Sequence, residues 1–352
     1  MSLANKEAMV MAIAKEIEIT PTRDPDEIIE TIYFGGGTPS LLSEQDLGNI
    51  FQAVQKKFMV SRDAEITLEA NPDDINPALL AAWKIMGINR LSVGLQSFNE
   101  KELKWMNRAH NAAQSLQCLD DIAAAGFAEF SVDLIYGSPL QTDEDLQKNF
   151  EIIATRNVPH ISCYALTVEE GTALNKLIKE GRTAAPDAGK QSDQFQLLLQ
   201  LMESAGYEQY EISNFCKPGH RSKHNSSYWQ GKPYYGFGPA AHSFDGNKVR
   251  KWNVSNNSLY LQSIEKNIIP SEQEILTDAQ RPNELIRLSL RTAEGLQLEL
   301  VQQKFGETQK VRLEKDAMPF LANGRMIKMG TALILTKEGK FFADGIAAEM
   351  FV

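Results

Sequence analysis

The sequence predicts an α/β fold: a partial barrel of parallel strands joined by crossover helices, followed by a helical C-terminal part. Two observations carry that expectation. Strand-like and helix-like runs alternate between Thr31 and Ala165 at the spacing of β–α–β units. Polar residues also stand at the end of each strand-like run, whereas an open doubly wound sheet would gather them at one switch point.

The chain opens on Met1-Ser2-Leu3, which reads as an expression scar, and passes at once into Glu7–Ile17, whose apolar residues recur at helical spacing. Strand-like runs follow at Thr31–Phe34, Glu65–Glu69, Arg90–Leu95, Phe130–Tyr136 and His160–Ala165. Helix-like runs lie between them at Glu44–Lys57, Pro77–Met86, Ala112–Ala125 and Glu144–Ala154. Gly87 and Gly126 fall where helix C-caps belong, and Ser43 or Ser40 can cap the helix after the first strand. Tyr207–Asn214 reads as a further strand extending the sheet.

Composition narrows the function. The 352 residues are 43% hydrophobic, the usual fraction for a globular protein, and suffice for one large domain with an appendage or for two domains. Lys+Arg 36 against Asp+Glu 46 gives a net charge of −10, which argues against a nucleic-acid partner. No apolar run reaches membrane-spanning length, and no secretory signal is visible. Cys118, Cys163 and Cys216 are far apart and form no CxxC pair, which fits a reducing, cytoplasmic location.

The strand ends hold the candidate site. Thr31–Ser40 reads TIYFGGGTPS, a strand running into three glycines that let backbone approach a ligand closely. The other ends offer Glu69 and Asn71, Gln96 and Ser97, Asp133 and Tyr136, and Tyr164 and Ala165. Alternation puts Thr67 and Glu69 on one side of their strand, and Ser92, Gly94 and Gln96 on one side of theirs. Singly, each could be a cap or an ion-pair partner. In series on one barrel face they favour a ligand pocket.

GGGTPS, LEANPDD (Leu68–Asp74), RLSVGLQSF (Arg90–Phe98), Asn107-Arg108-Ala109-His110 and VDLIYGSP (Val132–Pro139) resemble the radical S-adenosylmethionine (SAM) proteins of the oxygen-independent coproporphyrinogen III oxidase group. The resemblance runs from about Ala8 to the C-terminus. It implies a partial (β/α)6 TIM-like barrel with a [4Fe–4S] cluster and SAM on its open face. It implies Gly36, Gly37 and Thr38 near the methionine amino group, Glu69 and Gln96 on the ribose side, Arg108 on the carboxylate, and Asp133 and Ala165 on the remaining polar edge. Those residue types suit the roles: Arg is a fork for carboxylates, and Glu and Gln suit hydroxyls.

The chain departs from that group at one place. The family puts CxxxCxxC after a first strand, ahead of the helix that opens this chain, and three such thiolates hold the cluster. None of the three cysteines here lies in such a run. The expectation is a chain without its first strand and cluster ligands, whether clipped, mis-called at its gene start or a natural degenerate copy. Such a chain has no catalytic residue of its own to name.

Further on, YEISNF, HNSSYW (His224–Trp229) and GFGPAAHS resemble the HemW branch of the group, whose members are described as haem chaperones. The resemblance implies haem binding at His224, Asn225, Tyr228 and Trp229 and delivery of haem to acceptor proteins. Imidazole suits haem iron, which makes His224 the natural ligand, with His220 and His242 as nearby alternatives. A surface or core-edge histidine is the plain reading of any one of them. The competing function is oxidative decarboxylation of coproporphyrinogen III; an inactive fragment is the third.

From about Pro270 the chain reads as helices at Leu285–Thr292 and Leu296–Phe305, a strand at Ala332–Thr336, a turn at Lys337–Lys340 and a helix at Phe341–Met350. It resembles the small winged-helix-like cap of the family, without a basic stripe for DNA. The expected divisions are 1–215 for the barrel, 216–269 for a loop-rich β extension and 270–352 for the C-terminal domain.

Overall fold

The structure, a computed structural model, describes residues 5–352. Met1-Ser2-Leu3, read above as a scar, lie outside the described residues. Two compact units emerge. One holds the N-terminal stretch through Ile32, Leu42–Ala64 and Lys223–Val352; the other holds Tyr33–Leu41 and Glu65–Ser222.

The main sheet has seven strands: β1 (Ile28–Phe34), β2 (Met59–Ala70), β3 (Arg90–Gln96), β4 (Glu129–Tyr136), β5 (His160–Ala165), β6 (Glu208–Glu211) and β7 (Asn214–Cys216). Their order is β1-β2-β3-β4-β5-β7-β6. Strands β2 to β5 pair in parallel, and β7 and β6 close the edge as an antiparallel hairpin. The strand read at Tyr207–Asn214 is thus β6 and the first residue of β7, with a hairpin turn at Ile212-Ser213 between them.

In the Glu65–Ser222 unit the alternation works as read. Leu91, Val93 and Leu95 of β3 are fully buried while Ser92, Gly94 and Gln96 face a more open side. Crossover helices Pro77–Ile85, Ala112–Ala124 and Asp143–Thr155 bury Trp83, Leu119, Ile122 and Ile153. Gly87 and Gly126 follow two of these helices with φ of 94° and 71°, the left-handed geometry of a terminating glycine. A long helix absent from the sequence reading, Ala188–Ser204, packs Phe195, Leu198 and Met202 inward.

At the opposite strand ends lies a buried charge network. Arg90, 2% exposed, reaches Glu129 at 3.2 Å and Glu65 at 3.7 Å, and donates to Ser131 Oγ at 2.9 Å. His220 Nδ1 meets Glu129 Oε1 at 2.8 Å.

In the other unit, helix Lys6–Ile19 packs on Glu44–Lys57, with Ser43 forming a capping box with Asp46. Ser40 is not the cap: it donates to Asp74 at 2.6 Å within its own unit. Met9, Ala12, Tyr260 and Ile264 form one core cluster. Beside it, buried Glu16 accepts from Tyr260 Oη at 2.6 Å, Asn253 Nδ2 at 2.6 Å and the Gly238 amide at 2.8 Å. A small antiparallel sheet joins β8 (His242–Phe244), β9 (Val249–Asn253) and β10 (Ser271–Ile275). A third sheet, in the order β11-β13-β12, joins β11 (Leu296–Gln297), β12 (Met326–Met329) and β13 (Ala332–Leu335). Helices Gln280–Leu290, Leu298–Phe305, Glu307–Asp316 and Ala343–Glu349 accompany it. Lys337–Lys340, read as a turn, is one short helix capped by Thr336.

Candidate functional site

The C-terminal ends of β3 to β5 meet around a cavity of about 230 Å³ lined by Gln96, Asp133, Tyr164, Ala165 and Thr167 among others. Backbone strain places Gln96 there. Its φ is 69°, unusual for a residue with a side chain, and the β3–β4 register shifts between Val93 and Gln96. Burial pushes the Asp133 carboxyl up to about 7; the Glu69 charge adds to this, while Ser162 and Arg108 oppose it.

Glu69 is held from two sides. It accepts from Tyr33 Oη at 2.8 Å and from the Gly36 amide at 3.2 Å. A Cβ on Gly35 would lie 2.8 Å from Glu69 Oε1, so the first glycine of the loop is needed for that carboxylate to reach the backbone. Arg108 donates through Nη2 to Asn71 Oδ1 at 3.1 Å and to the Gly94 carbonyl at 3.0 Å. Its buried Nε has no hydrogen-bond partner, nor does the buried Thr67 hydroxyl. An unsatisfied guanidinium N–H away from water is a donor waiting for an anion.

The structure brings Gln96, Asp133 and Ala165 onto one cavity wall and ties Gly36 to Glu69. Gly37 and Thr38 do not line that cavity; Thr38 offers its carbonyl to Leu41 instead. Tyr33, which fixes Glu69, went unnoticed in the sequence. It sits one position from the glycine run's preceding Phe34, on the inward face of β1 by alternation, and that was its signal.

The HNSSYW run forms a short helix, Lys223–Trp229. The helix sets His224 and Tyr228 one turn apart, edge to face, with centroids 5.0 Å apart. Tyr228 in turn meets Tyr234 at 4.8 Å, and Tyr234 lies 6.4 Å from Phe244. His224 Nδ1 lies 2.9 Å from Thr31 Oγ1, and Nε2 lies 3.1 Å from Tyr228 Oη. Asn225 and Trp229 share the helix. His220 and His242 stand elsewhere: His220 on Glu129, His242 exposed in β8 with its ring 6.2 Å from Trp252.

Comparison with known proteins identifies relatives of this chain. The Radical SAM superfamily pattern matches residues 11–153, and the HemN C-terminal domain pattern matches residues 276–342. The heme chaperone HemW of Mycobacterium tuberculosis is 32% identical over 339 residues, covering 96% of this chain and 84% of that protein. The heme chaperone HemW of Bacillus subtilis is 32% identical over 346 residues, covering 97% and 89%. The chain belongs to the HemW family of radical SAM proteins. Among solved structures, coproporphyrinogen III oxidase (HemN) from Escherichia coli matches with a TM-score of 0.84 at 21% identity, over 100% of this chain and 85% of that one. That likeness shows the fold: the parallel-dominated sheet is the half-barrel of the radical SAM core, with a C-terminal helical domain.

The radical SAM family implies SAM and a [4Fe–4S] cluster. The strand-end residues of this HemW-family chain fit SAM. Arg108 Nε lacks an acceptor, which a carboxylate would supply, and Asp133 and Gln96 line the cavity. Its cysteines do not fit the cluster. Cys118, Cys163 and Cys216 are each buried on separate elements, a helix, β5 and β7. Burial pushes the Cys118 thiol up to about 12 and that of Cys216 to about 11, against the thiolate form a cluster needs. Among the described residues no group of three His, Cys, Asp or Glu side chains could hold a metal ion. No described helix is long and apolar enough to cross a membrane.

Proposed function

We propose that this chain binds haem on the Lys223–Trp229 helix, with His224 as iron ligand, and passes it to acceptor proteins. The observation that carries the reading is the His224 ring: it is oriented at Nδ1 by Thr31 and heads a run of aromatic side chains. In the Nδ1–H tautomer the ring donates to Thr31 and turns the Nε2 lone pair outward, toward the Tyr228 hydroxyl. Iron would take that same lone pair, and a hydrogen bond at the far nitrogen fixes the ring of a metal-bound histidine. Asn225, Tyr228 and Trp229 complete the haem-contacting set. The heme chaperones of Mycobacterium tuberculosis and Bacillus subtilis support the reading by their similarity along nearly the whole chain.

SAM belongs at the ends of β2 to β5. Arg108 would hold its carboxylate; Gly36, Gly37 and Thr38 the amino group; Glu69 and Gln96 the ribose; Asp133 and Ala165 the remaining polar edge. When bound beside a reduced cluster, SAM supplies a carbon radical. The residues here bind and orient it, and Asp133 can hold a proton in the cavity up to about pH 7. No step through the cluster is assigned to this chain. The functional division follows the segments 1–215, 216–269 and 270–352.

Haem transfer tests the chaperone reading. Haem-loaded protein mixed with apomyoglobin should hand over its haem, seen as the myoglobin Soret spectrum growing at the donor's expense. The oxidase reading is tested with the CxxxCxxC segment added, plus reductant, SAM and coproporphyrinogen III. Catalytic formation of protoporphyrinogen IX would select it over the chaperone.

A further inference from the structure

We infer that Arg291 is the anchor for a haem propionate, which makes the C-terminal domain part of the haem site. The inference rests on the reading of Lys223–Trp229 as the haem helix. Arg291 caps the helix Gln280–Leu290, which packs against Lys223–Trp229. Its guanidinium carbon lies 5.4 Å from the centroid of the Trp229 ring, the last residue of HNSSYW. Nη1 also meets Asp344 Oδ1 at 3.1 Å.

Haem is a flat apolar disc with two carboxylates on one edge. A site for it needs an iron ligand, aromatic or aliphatic surface for the disc, and a cation at the rim. His224 and the Tyr228, Tyr234 and Phe244 rings supply the first two. Among the cations of this region, Arg23 donates to the Tyr234 and Phe244 carbonyls and is paired with Glu27 at 2.6 Å. Arg250, 5.9 Å from the Phe244 ring, is taken by Glu284, whose side chain is only 14% exposed. Lys232 is paired with Glu30 at 3.0 Å. Arg291 rests on a ring of HNSSYW itself.

Its contact with Asp344 is a replaceable one. The Asp344 side chain is 78% exposed, and an ion pair that open to water is worth about 0–1 kcal/mol. It also shows that a carboxylate can dock on this guanidinium. A planar fork with five N–H donors can accept a propionate beside Asp344 or in its place.

The test compares ferric protoporphyrin IX with its dimethyl ester, which keeps the disc and iron but removes both propionate charges. The full chain, Arg291→Gln, Arg291→Lys and Asp344→Asn are titrated by Soret absorbance, after circular dichroism has shown each variant folded. Loss of a charge-assisted hydrogen bond should weaken haem binding about tenfold in Arg291→Gln, leave the ester unchanged and spare most of the affinity in Arg291→Lys. Asp344→Asn should bind haem more tightly, by removing the competing carboxylate. Equal weakening toward haem and ester would overturn the inference, since that is what a packing defect gives. So would unchanged haem binding in Arg291→Gln. Absence of any Soret shift with the unsubstituted chain would instead remove the haem reading, and this inference with it.

Discussion

Thr31 Oγ1 and His224 Nδ1 lie 2.9 Å apart although 193 residues separate them in the chain. The hydroxyl helps fix which way the ring nitrogen Nε2 turns. Thr31→Val keeps the shape and removes the oxygen. It should weaken haem binding about fivefold, the worth of one hydrogen bond of about 1 kcal/mol. Soret titration reads it; unchanged affinity would mean the ring needs no such support.

SAM affinity should depend on Arg108. Its unpartnered Nε and its hold on the Gly94 carbonyl make it the carboxylate's fork. Arg108→Ala should weaken binding at least tenfold, on the order of the 1.5–3 kcal/mol of a hydrogen bond to a charged group. Calorimetry with SAM decides it, and equal affinity in the variant would move the site off these strand ends.

Asp133 gives stability a pH dependence of defined sign. Its folded carboxyl is held to about 7, against 3.8 for the ordinary side chain. Between those values the folded chain binds the proton and the unfolded chain does not. Stability from this group is therefore full below about pH 4 and falls as pH rises toward 7. Asp133→Asn should flatten that decline in urea unfolding followed across pH. A variant with the same pH slope as the parent would contradict the assignment.

Glu16 is a buried carboxylate whose loss should be costly. Three donors, from Gly238, Asn253 and Tyr260, converge on it. Glu16→Ala strands them all and should destabilise by about 3 kcal/mol, whereas Glu16→Gln keeps the acceptor oxygen and should cost less. Denaturant titration of both variants separates the two; equal loss would mean volume matters and the acceptor does not.

Iron and sulfide analysis after anaerobic reconstitution should find no stoichiometric [4Fe–4S] cluster on this chain, because its three cysteines are buried on three separate elements. A near-full cluster would show that other side chains can serve.

Much of the barrel was legible because local signals agreed with the global fold. Glu44–Lys57 carries its own cap, Ser43, and an apolar stripe; the parallel strands are bounded by glycines and polar ends. Glu307–Asp316 was not legible, since Leu313 is its one buried residue and no stripe marks it. Ala188–Ser204 was legible in principle: Asp187 caps it, and Phe195, Leu198 and Met202 recur at helical spacing. Site chemistry was legible as residue types at strand ends. Its partners were not, because Thr31 with His224 and Arg291 with Trp229 meet only through the folded chain.

Haem titration of the unsubstituted chain beside His224→Ala tests the haem site most directly. Excess ferric haem should give the unsubstituted chain a shifted, saturable Soret band at one haem per chain. His224→Ala should lose that band or weaken it at least tenfold, while His220→Ala and His242→Ala keep it. A His224→Ala chain that binds haem as the unsubstituted chain does would contradict the claim, and loss of the band in His242→Ala instead would place the iron on β8.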